Sequence, residues 1–349
     1  MSPWSRFAAF EQTYIGLPWI EFCRAHAEIP VFAVSGYLML VFYLPKVLEN
    51  RKGFTLRKSF AAWNLLLSLF SLIGTTRTVP VLIEKVLEKG IDHTLCANPM
   101  SWYSDGPVGL WMALFIYSKI PELLDTLFLV LQKKRVIFLG WFHHTTVLLY
   151  CWHAYHNTIA AGLWFAGMNF SVHTVMYMYY FLMVFPTTRA SAKKSAPLIT
   201  CLQILQMAVG SAVTFRSGVL KSRLGDQCHT DPANVKLGLG MYTAYFTLFT
   251  ALCVDKYFSN GDRGGGKGGR RVARLAWKGG TEYSPPTVVP KRYSQKISGL
   301  KTALTTARPA APARATVSAT VSAPLHGQPV ARSTCTRRAG SEGGGGARG

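Results

Sequence analysis

Hydrophobic residues in the first 258 positions are gathered into seven long blocks, which short segments rich in Lys and Arg separate. Each block approaches the roughly 20 apolar residues that an α-helix needs to cross a bilayer. The blocks therefore predict an all-α polytopic membrane protein with seven transmembrane helices. These spans are Pro30–Leu44, Ser59–Ile83, Pro107–Leu131, Val136–Tyr155, Thr158–Phe185, Pro197–Phe215 and Val235–Phe258.

Two regions flank the predicted membrane domain of residues 30–258. Residues 1–29 are aromatic but interrupted by charges, which indicates a segment at the non-cytosolic membrane interface. They lack the basic-then-apolar order of a cleavable signal peptide, so we expect the first span to act as the membrane signal. Residues 259–349 are a low-complexity basic stretch, which predicts a disordered cytosolic tail.

The distribution of charge predicts the orientation in the membrane. The loops after the first, third and fifth spans and the tail hold clusters of Lys and Arg, which favours the cytosol for all four. The loop after the sixth span, with Arg216, Lys221 and Arg223, departs from this rule. The net charge of +22 is explained by a basic cytosolic face, so no nucleic-acid partner is predicted.

The seven cysteines form no C-x-x-C motif, which gives no indication of a zinc or thioredoxin-like site. Cys96, in a predicted polar loop at residues 84–106, and Cys228 fall on the same non-cytosolic side. In an oxidising compartment they could form a disulfide, and the alternative is two unpaired thiols.

Polar residues inside the apolar blocks are the candidates for function, because ionisable groups in hydrocarbon are costly. His143 and His144 are adjacent in the fourth span, and neighbours on a helix point about 100° apart. Two histidines with such different directions cannot both face lipid comfortably. This pattern favours a catalytic site, and hydrogen-bonded structural histidines are the alternative.

The third span contains a charged group of three residues, Lys119, Glu122 and Asp125, spaced so that they share one side of a helix. Pro121 is expected to kink this helix and free a backbone carbonyl. We interpret the charges as supporting and orienting a site, and an internal charge network that holds helices in register is the alternative.

The fifth and sixth spans also carry polar stripes. In the fifth, Asn169, His173, Tyr177 and Tyr180 follow one helical face. In the sixth, Gln203 and Gln206 share a face beside Thr200. At 1.5 Å per residue, His143 lies roughly 11 Å and His173 roughly 18 Å from the cytosolic ends. The spans therefore predict a polar chamber in which these two histidines act as nucleophile and general base.

Four motifs together resemble the ELO family of very-long-chain fatty acid elongases, in the order and spacing of that family. They are Lys119-x-x-Glu-Leu-x-Asp-Thr126, His143-His144, Met168-Asn-x-x-Val-His-x-x-Met-Tyr-x-Tyr-Tyr180 and Thr200-x-Leu-Gln-x-x-Gln206. Tyr103-Ser-Asp-Gly-Pro107 and Asp226-Gln-Cys-His229 are similar to the branch that acts on saturated and monounsaturated acyl chains.

The resemblance implies a condensing enzyme of the endoplasmic reticulum membrane, a 3-ketoacyl-CoA synthase. It would join malonyl-CoA to a fatty acyl-CoA inside a narrow tunnel that is open to the cytosol. The implied acyl-imidazole intermediate falls on His143, with His173 as its partner. The cations expected to meet the CoA phosphates are Lys133, Lys134, Arg135, Arg189, Lys193 and Lys194.

The resemblance further implies malonyl-CoA as co-substrate without a cofactor or metal. Its expected partners are the reductases and dehydratase of the elongation cycle, with a homodimer as a candidate assembly. One position departs from the family pattern of His-x-x-His-His, since Gly140 stands where the first histidine would be. A slow enzyme, an inactive one, and one rescued by water or a neighbouring side chain all remain open.

Two other classes compete with this interpretation. A membrane di-iron desaturase or hydroxylase would also use histidines in helices, but such sites need many ligands, and only five of the nine histidines lie in spans. A non-enzymatic protein, such as a receptor, a transporter or an inactive elongase-like scaffold, is the second alternative, and Gly140 favours the scaffold form.

Overall fold

The computed structural model describes residues 2–254 and 257, so the predicted disordered tail at residues 259–349 lies outside the described residues. Every regular element in the described part of the chain is helical, which confirms the all-α class. The helices are α1 Pro3–Gln12, α2 Leu17–Ala25, α3 Glu28–Phe42, α4 Leu44–Val47, α5 Arg57–Lys89, α6 Ile91–Cys96, α7 Gly106–Ser118, α8 Leu124–Leu131, α9 Phe138–His156, α10 Gly162–Val184, α11 Pro186–Lys193, α12 Ala196–Leu224 and α13 Pro232–Cys253.

Three helical stretches are long and apolar enough to cross a membrane, Glu28–Val47, Arg57–Lys89 and Ala196–Gln227. Helices also occupy the four other predicted spans, namely α7 with α8, then α9, α10 and α13. Two of these spans depart from a simple apolar helix, because α9 contains four histidines and the third span is broken into two shorter helices.

The third span is not the single kinked helix that its sequence predicts. Helix α7 ends at Ser118, a 3₁₀ turn covers Pro121–Leu123, and α8 begins at Leu124. Proline has no N–H to donate, and its ring collides with the carbonyl four residues earlier, which ends the α-helical hydrogen bonding here. The prediction of a polar loop at residues 84–106 is also partly wrong, because α5 continues to Lys89 and α6 follows.

Six helices contact one another in a closed order, from α9 to α13, α12, α10, α5 and α7 and back to α9. Helix α3 lies outside this ring and packs against α9 and α8. The ring accounts for the polar stripes on α9, α10 and α12, because each of these helices has one side directed toward the interior.

Glycines allow two of the helix pairs to approach closely. A Cβ on Gly74 of α5 would lie 2.6 Å from the ring of Phe170 on α10, and one on Gly210 of α12 would lie 2.4 Å from the ring of Tyr242 on α13. Small residues of this kind are typical of helix interfaces in membranes, where packing rather than hydrophobic burial drives association.

The N-terminal helices are docked onto the ring through a buried carboxylate. Glu11 of α1 is only 2% exposed. It accepts hydrogen bonds from the Arg77 guanidinium at 2.9 Å and from the indole N–H of Trp111 at 2.7 Å. Trp4 and Trp19 are exposed, at 75% and 48%, and the interfacial position of this segment stays a prediction.

Candidate active site

A cavity of about 220 Å³ lies inside the ring, and the polar stripes predicted from the sequence line it. Helix α9 contributes Gly140, His143 and His144. Helix α10 contributes Asn169, His173, Tyr177 and Tyr180, and α12 contributes Thr200, Gln203 and Gln206. Asp125 of α8 completes the set, so three helices of the ring and the broken third span present their polar groups to one space.

The three predicted catalytic histidines border this cavity together. The rings of His143 and His144 have centroids 5.5 Å apart. The hydroxyl of Tyr245 donates to the backbone carbonyl of His143 at 3.2 Å, and the two rings lie 5.0 Å apart. His173 is 8% exposed, with its ring 5.1 Å from that of Tyr177. Imidazoles from α9 and α10 therefore share one enclosed site.

A chain of hydrogen bonds fixes the orientation of His173. The Lys119 ammonium donates to Asn169 Oδ1 at 3.0 Å. Because an ammonium can only donate, that atom of Asn169 must be the oxygen, and the amide N–H₂ must face His173 Nε2 at 3.0 Å. Nε2 is therefore the acceptor nitrogen of a neutral imidazole, and the ring proton sits on Nδ1.

This series of hydrogen bonds begins at a buried ion pair. Lys119 Nζ lies 2.8 Å from Glu122 Oε1, which also accepts a hydrogen bond from Ser118 Oγ at 2.9 Å. Both charged side chains are almost fully buried, at 2% and 4% exposure. Neither residue lines the cavity, so the pair supports the site from behind, as its sequence interpretation proposes.

Asp125 belongs to a different network from the Lys119–Glu122 pair. Its carboxylate accepts hydrogen bonds from the Trp63 indole at 2.6 Å and the Tyr177 hydroxyl at 2.7 Å. The break at Pro121 places Asp125 on α8, where it joins α5 to α10. Lys119, Glu122 and Asp125 therefore do not share one side of a single helix, as the sequence predicts, but belong to two separate hydrogen-bond networks.

Gly140 leaves space at the wall of the cavity. The nearest atom to a Cβ built on it is Ile137 Cγ1, at an ordinary contact distance of 3.7 Å. One turn later on α9, the buried Nδ1 of His144 has no hydrogen-bond partner among the described residues. Positions 140 and 144 are neighbours on one side of the helix, since they are four residues apart.

The six cations predicted to meet the CoA phosphates have different contacts in the structure. Arg135 lines the cavity. Lys133 donates to the carbonyl of Glu49 at 2.8 Å, and Arg189 donates to the carbonyl of Met183 at 3.0 Å, so both contact the ends of helical segments. The Lys134 ammonium lies 5.6 Å from the ring centroid of Phe60. Lys193 and Lys194 are exposed at the end of α11.

A disulfide joins Cys96 at the end of α6 to Cys228, which precedes α13. The two segments also share a backbone hydrogen bond, from His229 N–H to the Cys96 carbonyl at 2.8 Å. Ala160, in the connection between α9 and α10, donates from its N–H to the His229 carbonyl at 3.0 Å. Burial and the nearby Lys221 ammonium lower the pKa of His229. The disulfide and these hydrogen bonds therefore join the segments around Cys96, Ala160 and Cys228 at one end of the ring.

Sequence reasoning missed two residues of the site. Asn64 of α5 lines the cavity and is 1% exposed. It was detectable as a polar residue inside an apolar block, which is the signal that identified the site residues on the other spans. Tyr245 of α13, which contacts His143 and hydrogen-bonds Thr146, carries no comparable signal, because tyrosines are common in the surrounding sequence.

In the part of the chain that the structure describes, no three His, Cys, Asp or Glu side chains are grouped so that they could hold a metal ion. The cavity is lined by imidazole, amide, hydroxyl and carboxylate groups.

The fold and the cavity define a class, a helical membrane protein with histidines, amides and hydroxyls facing an enclosed interior. Residues 22–264 match the model of the ELO: GNS1/SUR4 family, and the chain belongs to this family of fatty acid elongases.

Named relatives agree with this assignment. The chain is 39% identical to fatty acid elongase 3 of Trypanosoma brucei brucei over 74% of this chain and 93% of that protein. It is 43% identical to fatty acid elongase 3 of Trypanosoma cruzi over 68% of this chain and 86% of that protein. It is 38% identical to very long chain fatty acid elongase 6 of Drosophila melanogaster, over 70% and 77% of the two chains.

Proposed function

We propose that the chain condenses malonyl-CoA with a long-chain fatty acyl-CoA, giving a 3-ketoacyl-CoA, CO₂ and CoA. The observation that supports this most directly is the single cavity that His143, His144 and His173 line together. A family of fatty acid elongases supplies the substrate class, and the cavity supplies the nucleophile, the hydrogen-bond donors and the enclosure that this chemistry needs.

The first step is acyl transfer to His143. A ring nitrogen attacks the thioester carbonyl, the N–C bond forms, the C–S bond breaks, and CoA leaves as the thiol with the imidazole proton. Tyr245 holds the backbone of His143, which restricts the direction in which the ring can point. An acyl-imidazole keeps the carbonyl electrophilic, provided that water is excluded.

The second step uses malonyl-CoA. Its carboxylate leaves as CO₂, and the resulting enolate carbon attacks the acyl carbonyl while the N–C bond to His143 breaks. The departing ring nitrogen takes up one proton from solvent, which restores the neutral imidazole and balances the proton that left with CoA. The enolate oxygen carries negative charge, so a fixed donor lowers the barrier. With Nε2 engaged by Asn169, the proton on His173 Nδ1 is that donor, and Tyr177, Gln203 and Gln206 supply further polar groups in the same cavity.

We also propose the arrangement in the membrane. Six of the seven proposed spans surround a narrow tunnel that opens to the cytosol near Arg135 and is closed at the opposite end. The first proposed span, which contains α3, lies outside these six. The protein resides in the endoplasmic reticulum with its C-terminus in the cytosol. There it passes product to the reductases and dehydratase that complete the cycle, as a monomer or a homodimer.

An inactive scaffold is the second candidate, and Gly140 is the observation that favours it. The family pattern has an imidazole where this chain has a glycine with open space beside it. A scaffold would keep the fold and bind acyl-CoA without turnover. In the active form, we expect the missing imidazole to slow the reaction rather than to change its substrates.

The test is an elongation assay on membranes that contain the full chain, with labelled malonyl-CoA and acyl-CoAs of increasing length. We expect label in a 3-ketoacyl product, and a loss of about 10²-fold or more in His143→Ala and His173→Ala, the usual contribution of acid–base or nucleophilic groups. His156→Ala is the matched control, since this histidine is on α9 but does not line the cavity. Unchanged product in both variants would refute these roles, and no product at any chain length would favour the scaffold.

A further inference from the structure

A second, smaller cavity of about 40 Å³ lies farther along the ring, and its lining comes from four helices and from the connections that precede α7 and α10. Met112 and Phe115 of α7, Cys151 of α9 and Phe165 of α10 form most of an apolar wall. The fourth contribution is Ile20 of α2, which is 2% exposed. Ile20 precedes residues 22–264, so this part of the wall lies outside the segment that matches the family.

A thin layer separates the two cavities. Asn169 lines the first cavity and accepts a hydrogen bond from Lys119, whose ammonium lies 4.2 Å from the ring centroid of Phe115. Phe115 in turn lines the second cavity. One lysine side chain therefore bridges a residue of the histidine site and a residue of the apolar space.

The second cavity lies in the direction away from the cytosolic mouth. On α9, Cys151 is seven residues beyond His144, which is about 10 Å along the helix axis. Arg135 lies on the other side of the histidines and lines the first cavity. If the acyl carbonyl lies at His143 and the CoA group near Arg135, the direction in which the acyl chain continues along α9 is toward Cys151.

Helix α2 is fixed where it meets this space. The indole N–H of Trp152 donates to the Cys23 carbonyl at 2.9 Å, and the Cys23 thiol lies 3.3 Å from the Tyr117 hydroxyl. The Arg24 guanidinium donates to the His156 carbonyl at 2.9 Å. These contacts hold the turn after Ile20 against α7 and α9, so Ile20 forms a firm wall rather than a loosely packed one.

We propose that α2 closes the distal end of the acyl-binding space and that Ile20 limits the length of the acyl chain that the site accepts. This inference rests on the proposed function, because it identifies the end of the substrate for that same reaction. The ligand chemistry is the terminal methyl segment of a saturated or monounsaturated fatty acyl chain, which matches the apolar lining.

Product length is the first readout, measured by mass spectrometry on membranes that contain the full chain. One additional methylene in an apolar pocket changes discrimination by about tenfold or more. The quantity compared is the ratio of the product two carbons longer to the main product of the wild type. We expect Ile20→Ala to raise this ratio by about tenfold and Ile20→Trp to lower it by a similar factor. A ratio does not depend on how much of each variant folds.

Leu17→Ala is the matched control, because Leu17 is an aliphatic residue of the same helix that is 44% exposed. Its product ratio should equal that of the wild type. An unchanged ratio in both Ile20 variants, or an equal shift in Leu17→Ala, overturns the inference while leaving the proposed condensation intact.

The second readout needs no turnover. An acyl-CoA with a diazirine at its terminal carbon is irradiated with the wild-type protein, and labelled peptides are sequenced. Label on the peptide with Ile20 or on Cys151 supports the inference even where the elongation assay yields no product and the proposed function fails. Label confined to other parts of the chain overturns it.

Discussion

The side-chain amide nitrogen of Asn169 lies 3.0 Å from Nε2 of His173, one turn farther along α10. The amide oxygen of the same residue accepts from Lys119 at 3.0 Å, and Lys119 is paired with Glu122. A buried ion pair thus determines which way the Asn169 amide points, and the amide determines which nitrogen of His173, the proposed catalytic histidine, carries its proton.

Asn169→Leu should reduce elongation by at least about tenfold, because His173 loses the partner that fixes its tautomer and contributes less of the 10²–10⁴-fold typical of acid–base groups. We expect kcat to fall while KM for acyl-CoA stays within about twofold, as measured by steady-state kinetics. Ser171→Ala is the control on α10, since the Ser171 hydroxyl donates to the Gly167 carbonyl and does not line the cavity. A fall in kcat together with a rise in KM would instead indicate a general loss of the site.

Lys119→Met should destabilise the protein, because it leaves the Glu122 carboxylate buried without its counter-charge. Removing one partner of a buried ion pair costs about 3–5 kcal/mol. Thermal unfolding in detergent measures this loss. The double variant Lys119→Met/Glu122→Leu should recover most of the stability, since neither charge remains, but not the activity, because Asn169 has lost the donor that orients it. Recovery of both would show that the pair acts on stability alone.

Gly140→His should raise the rate of 3-ketoacyl-CoA formation, since the position borders the cavity and has room for a Cβ. Gly140→Ala is the necessary control, because removing a helix glycine stabilises α9 by about 1 kcal/mol without adding an imidazole. A gain in the histidine variant above that of the alanine variant supports a catalytic role for the position. No difference between them would count against such a role.

Most of the site was predictable from polar residues within apolar blocks. His143, His173 and Gln206 all face the cavity, because burying a polar group against lipid is costly and the helices turn such residues inward. The same reasoning predicted a helix at each block. Helical periodicity depends only on the spacing of residues along the sequence, so it predicts which polar residues share one face of a helix.

Relations between helices were not accessible in this way. The spacing of Glu122 and Asp125 places them on one helical face, but Pro121 ends α7 and sends Asp125 to Trp63 and Tyr177. Basic residues near a helix end are equally ambiguous, since Arg189 contacts the Met183 carbonyl while Arg135 lines the cavity. Sequence gives the charge of such groups but not the partner that each one finds.

Arg135→Ala should raise KM for acyl-CoA by about tenfold or more, because hydrogen bonds to charged groups contribute about 1.5–3 kcal/mol. The expected effect on kcat is small, since the proposed mechanism gives Arg135 a contact with CoA and no part in the chemistry at the histidines. Lys194→Ala serves as the control, because it removes an exposed cation at the end of α11 that does not line the cavity. Equal effects of both variants would indicate that general positive charge, and not a specific contact, attracts CoA.

Asp92 on α6 and Arg216 on α12 form a two-pronged ion pair, with N–O distances of 2.9 and 2.6 Å. The hydrogen bonds from Arg216 lower the pKa of Asp92 below its ordinary value of 3.8. A carboxyl group with a depressed folded-state pKa stabilises the protein above its unfolded pKa, and the contribution disappears as pH falls through the folded value. Both side chains are about half exposed, so solvent screens the pair and its contribution to stability is small. Asp92→Asn should therefore unfold at a slightly lower temperature than the wild type at pH 7, and the gap should close as the pH falls through the folded-state pKa of Asp92. A gap that persists in acid would mean that the asparagine disturbs α6 by packing rather than by charge.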